Sequence, residues 1–216
     1  MISIIIPILR IPPYDTQIEV LLKCLERQTA EHEVIVSEQA KTKYIKKNAL
    51  LNKGFEQSKG EYIWHCDADF LPNRRLLQRM KDRLEEENLD VIFPMFYSHM
   101  NKSWRICDGG PFMRREVLER HGPLNGSLKG INFVTFPFLE WCLANTRYLC
   151  SQEFKLAINH KPFIKPSRDK IHPRTRLQLR EKAMYLMMRL IAEELLPASI
   201  LRGRIIYANH NKTANL

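Results

Sequence analysis

The chain is 216 residues long, a length that suits one domain with a short appendage. Hydrophobic residues make up 44% and charged residues 27%, the profile of an ordinary globule, and no apolar run reaches the roughly 18 residues of a membrane-spanning helix. The net charge is +10, and from residue 161 onward twelve Lys/Arg stand against four Asp/Glu, so most of the excess lies in the last quarter. Such a surface suits phosphates, an anionic membrane or a plain solvated face. Cys24, Cys66, Cys107, Cys142 and Cys150 are odd in number and lack C-x-x-C spacing. That pattern argues against a disulfide framework or a zinc site and points to a reducing cytoplasm.

In chain order, Ile2-Ser3-Ile4-Ile5-Ile6 is a β-branched run closed by Pro7, as expected of a first strand buried on both faces rather than a signal peptide. Ile18, Leu21, Leu22 and Leu25 then recur at helical spacing, with Asp15 or Thr16 as N-cap. Residues 33–38 form a second strand, and residues 47–58 a helix ended by Gly60. Residues 61–66 form a third strand that runs into Asp67-Ala68-Asp69-Phe70-Leu71-Pro72. Residues 73–87 make a charged helix with Leu76, Leu77, Met80 and Leu84 inward, and residues 90–96 another strand. Residues 101–130 read as a long loop holding one short helix at 114–121. An apolar stretch follows at 133–148, a late strand at 154–159, and an amphipathic helix at 177–196. The alternation predicts an α/β domain with a mostly parallel, Rossmann-like sheet over residues 1–172, followed by a basic helical extension over 173–216.

Two carboxylates one residue apart at a strand end can hold a hard divalent cation, and in parallel sheets ligands bind at the carboxyl ends of strands. Asp67 and Asp69 have that position. The surrounding sequence adds motifs in order: Asn48, Asn52 and Gly54 in one helix, Lys59-Gly60-Glu61 entering the strand, the D-x-D-x-x-P run, and then Asp108-Gly109-Gly110. Together these resemble the inverting glycosyltransferases of the GT-A fold, both the family 2 enzymes and the β-1,4-galactosyltransferase type. The likeness covers roughly residues 1–160 and leaves the C-terminal helix outside.

That resemblance implies a nucleoside-diphosphate-sugar donor, UDP by preference, and transfer to a saccharide or lipid-linked saccharide hydroxyl. It implies Mn²⁺ or Mg²⁺ on Asp67 and Asp69, with His160 completing the metal shell. Arg10 and Glu38 match the positions that flank the nucleotide base, and Asn52 and the Gly109-Gly110 turn fall on the donor side. Lys165 and Arg168 are placed to clamp the diphosphate. Glu140 is the carboxylate available as general base, with Trp141 and Arg114 on the acceptor side. The family's acidic pair is here a single carboxylate: aligned through Asn145, Glu140 matches the base, whereas aligned through Arg147 it matches the neighbouring Glu. The alternatives are a degenerate protein that binds the donor without turnover and a basic membrane or nucleic-acid module. No nucleic-acid motif supports the last of these. The C-terminal helix serves either as a cap or homodimer contact or as a peripheral membrane contact at the inner face.

Overall fold

In the computed structural model, the residues described are 1–9, 14–39, 46–98, 103–107, 110–127 and 135–158. The extension from 173 on, with its amphipathic helix, lies outside them, as do Arg10, Gly109, His160, Lys165 and Arg168.

The first half alternates as the periodicity predicts: β1 (Ile2–Leu9), α1 (Tyr14–Leu25), β2 (His32–Gln39), α2 (Lys47–Gln57) and β3 (Tyr62–His65). β1 pairs in parallel with both β2 and β3, forming the nucleus of the sheet. Alternation along β1 divides the core. Ile2, Ile4, Ile6 and Ile8 pack with α1 residues and with Leu76, Leu77 and Met80. Ile5 and Ile63 face the opposite cluster. Both faces are apolar because helices cover both. Pro7 does not end β1, and α1 begins at Tyr14, so Asp15 and Thr16 lie inside its first turn instead of capping it.

The second half departs from a parallel sheet. After β4 (Phe70–Leu71), α3 (Leu76–Glu86) and β5 (Val91–Ser98) come β6 (Ser103–Ile106), β7 (Phe112–Arg114), α4 (Arg115–His121), α5 (Phe136–Asn145) and β8 (Tyr148–Ile158). The sheet order is β2-β1-β3-β7-β5-β8-β4, with β6 on β5. β7 lies antiparallel between β3 and β5, β8 runs parallel to β5, and β4 pairs antiparallel with the end of β8. The stretch expected to be a long loop therefore contains two strands. They are three and four residues long, too short for alternation to show in sequence.

Two glycines set how closely the layers approach. A Cβ on Gly54 would overlap Ile5 Cγ2 and come within 2.8 Å of Ser37 Oγ, so α2 rests directly on β1 and β2. A Cβ on Gly60 would stand 2.6 Å from the Ser3 backbone nitrogen, and Gly60 N–H donates to Ser3 Oγ at 2.7 Å. Gly60 thus closes the start of the sheet and does not cap α2, which ends against Ser58.

Candidate active site

β3 is buried along its whole length, and Cys66 N–H continues its ladder by donating to Ile5 O at 2.9 Å. The chain then turns: Phe70 N–H donates to Asp67 O at 3.1 Å across Ala68 and Asp69. Aspartates favour such turns, and here the turn sets both carboxylates at the carboxyl end of β3. Phe70 anchors the far side of the turn by stacking on Trp64 with centroids 6.3 Å apart. Trp64 in turn donates its indole N–H to Gly110 O at 3.1 Å. Gly110 is glycine for that packing, since a Cβ there would lie 2.6 Å from the Phe70 ring.

The electrostatics of the turn are uneven. Burial, and then the charge of Asp67, push the Asp69 carboxyl up to about 7. Asp67 has a cationic partner: Lys47 Nζ lies 2.6 Å from its Oδ1, with Lys47 only 5% exposed and Asp67 32% exposed. Lys47 opens α2, whose first turn holds no acidic residue and whose Lys46 N-cap makes no side-chain capping bond. A lysine opposes the helix dipole there, and the Asp67 carboxylate supplies the missing negative charge. His65, one residue before Cys66, is fully buried, and neither ring nitrogen finds a hydrogen-bond partner. Burial, and then the Lys47 charge, lower it to about 3, so the imidazole is neutral. It forms one wall of a cavity of about 290 Å³ beside α2, together with Asn52, Phe55, Leu118 and Leu124.

The residues fit a divalent cation through their donor set: two hard carboxylates, one of them half-buried and held against its own ionisation by burial and then by the other's charge. Among the described residues no third His, Cys, Asp or Glu joins them. β8 ends at Ile158 opposite Phe70, next to the turn.

The other expected residues divide into two groups. Glu38 is exposed near the end of β2, in register with Ile8, on the same carboxyl edge as Asp67. Glu140 is half-buried in the second turn of α5, past the first turn where a carboxylate serves the helix dipole. Two residues earlier, Phe138 reaches His65 with centroids 6.1 Å apart, which ties α5 to the strand leading into the aspartates. Trp141 is half-buried, with His121 edge-on at 5.0 Å and the Arg120 guanidinium 5.8 Å from its ring centroid.

Two residues are committed elsewhere. Asn52 donates to Leu124 O at 2.8 Å and accepts from Leu124 N–H at 2.9 Å, so its amide fastens the 124 segment to α2. Arg114 pairs with Tyr62 at the start of β3, about 16 Å from the aspartates at 3.3 Å per residue. Its guanidinium donates to Leu89 O at 2.9 Å and Leu84 O at 3.2 Å, holding the end of α3. The sequence reading passed over Lys47 and His65. Paired lysines at a helix start with no acid in the first turn were the signal for Lys47; nothing in the sequence marked His65.

The fold and this edge define a class. Residues 26–120 match the model for glycosyl transferase family 2. A mannosyltransferase from Pyrobaculum calidifontis in complex with GDP-Man and Mn²⁺ has a similar structure, with a TM-score of 0.55 at 16% identity, over 90% of this chain and 64% of that one. TarS from S. aureus, residues 1–349 in complex with UDP, matches with a TM-score of 0.50 at 16% identity, over 64% of this chain and 54% of that one. No curated protein matches the sequence. This chain spans 64% and 54% of the length of these two solved proteins. The chain is thus a GT-A-fold domain, and its stretch 26–120 is similar to the glycosyl transferase family 2 model. Among the described residues no helix is long and apolar enough to cross a membrane.

Proposed function

We propose that this chain transfers a sugar from a nucleoside-diphosphate donor to an acceptor hydroxyl, with inversion at the anomeric carbon. The observation that carries this reading is the Asp67–Asp69 turn at the carboxyl end of β3, inside the stretch that matches family 2. Asp67 and Asp69 would hold Mn²⁺ or Mg²⁺, which neutralises charge on the departing diphosphate. His160 is the proposed third ligand, because β8 ends opposite Phe70 only two residues before it.

Glu38 and Arg10 flank the nucleotide base, at the end of β2 and just past β1. The donor sugar lies along the Gly109-Gly110 turn, with Lys165 and Arg168 as the cationic clamp of its diphosphate. Glu140 takes the proton from the acceptor hydroxyl as it attacks, and Trp141 offers its ring to the acceptor sugar. Asn52 and Arg114 are given a structural part in this reading, because main-chain groups hold the Asn52 amide and the Nε and Nη2 of Arg114. The nucleotide is UDP, as in the TarS complex, with GDP as the alternative that the mannosyltransferase complex presents. The acceptor is a saccharide or lipid-linked saccharide, and the basic extension from 173 brings the domain to an anionic membrane face in the cytoplasm.

A panel of UDP- and GDP-sugars with Mn²⁺, read for donor binding and for donor hydrolysis, tests the reading. The wild type binds and turns over at least one donor. Glu140→Gln binds that donor as tightly but loses about 10²–10⁴-fold in turnover. If the wild type binds no donor, the reading falls. Donor bound without turnover favours the degenerate binding protein, which the single carboxylate beside Trp141 already suggests. Full transfer by Glu140→Gln removes Glu140 as base.

A further inference from the structure

Lys47 holds an unusual position: a lysine at the dipole-positive start of α2, almost wholly buried, its ammonium 2.6 Å from Asp67. A buried ammonium needs a counter-charge, and here that counter-charge is one of the two carboxylates a cation would use. A divalent cation and the ammonium cannot both sit against Asp67 without strong repulsion. A cation arriving alone meets an aspartate already compensated. A diphosphate changes that balance, because it brings negative oxygens to the same helix start.

We propose that Lys47 is a built-in counter-ion for Asp67 that is handed to the donor diphosphate on binding, so that the two-aspartate turn takes a divalent cation only together with the diphosphate. This rests on the metal reading above and adds an order to it: the ammonium leaves Asp67 for phosphate oxygens as the cation takes its place. No bond is made or broken. Only ion partners exchange, and the coupling is reciprocal, so the cation tightens the nucleotide by the same factor as the nucleotide tightens the cation.

Mn²⁺ binding followed by electron paramagnetic resonance, on the full chain with and without UDP or GDP, provides the test. Wild type binds Mn²⁺ at least tenfold more tightly with its nucleotide than alone. Lys47→Met binds Mn²⁺ alone at least tenfold more tightly than wild type, and its coupling to the nucleotide shrinks toward one. Lys47→Arg keeps the wild-type pattern. Equal Mn²⁺ affinity with and without nucleotide in the wild type overturns the proposal, whatever the variants do. So does a folded Lys47→Met that binds free Mn²⁺ no better than wild type. If wild type binds nucleotide but never Mn²⁺, the metal reading itself fails and the counter-ion idea goes with it. Asp69→Asn serves as the control, losing Mn²⁺ in every condition.

Discussion

The two ends of the central strands hold the same kinds of residue and treat them in opposite ways. At the amino end, charged groups are spent on the fold. Arg114 holds the carbonyls of Leu84 and Leu89, Arg115 donates to Gly60 O at 2.7 Å and Ser58 Oγ at 2.7 Å, and Arg147 meets Asp90 through both backbone and side chain. At the carboxyl end, the charges are crowded: Asp69 is pushed up by its neighbour, and Asp67 leans on a buried lysine. Polar groups that complete one another mark structure, whereas a charge left expensive by its surroundings marks a place meant for something else.

Three experiments can break or sharpen that contrast. The largest effect belongs to Asp69→Asn, which loses roughly 10³-fold in donor turnover, the scale of one displaced charge-stabilising group, while its unfolding midpoint does not fall. A drop in stability alongside the lost turnover would place Asp69 with the structural charges. Next comes Arg114→Ala, which frees two carbonyls and costs about 2 kcal/mol in urea unfolding while leaving KM and kcat unchanged. A raised acceptor KM with unchanged stability would return Arg114 to the acceptor side.

The smallest effect is a pH dependence. Asp69 titrates near 7 in the folded chain against an ordinary 3.8, so between those values the native state holds a proton that the unfolded state has lost. Stability of the metal-free protein therefore falls as pH rises from about 4 to about 7, and this contribution levels off above that. Asp69→Asn flattens the slope. Urea midpoints for both proteins across that window decide it, and parallel slopes would show that Asp69 is not the group responsible.

Elements with strong periodicity were legible: α2, β3 and α3 lie within a few residues of where their apolar spacing puts them, and the aspartate turn closes β3 as expected. β6 and β7 were not, because strands of three and four residues carry no usable pattern and are stabilised by the neighbours they fill between. The site was legible as chemistry and less so as geometry. Gly110 was placed on the donor side by its motif, and its missing Cβ also admits the Phe70 ring, which no motif shows. Asn52 read as a donor contact, yet both of its amide groups bond the Leu124 main chain. A motif states which residue types recur together; which of them face solvent depends on partners far away in sequence, 72 residues away for Asn52.

The Trp64 indole gives the domain an optical gauge of its own. It is sealed from water, lies flat along Phe70 and donates its N–H to Gly110 O, so its emission belongs to the blue side of the tryptophan range and resists soluble quenchers. Because Phe70 directly follows Asp69, any ligand that tightens or shifts the turn must move the ring against which that indole rests. With Trp104 and Trp141 replaced by Phe, fluorescence can therefore follow events at the aspartates without a label, through the buried Trp64 alone.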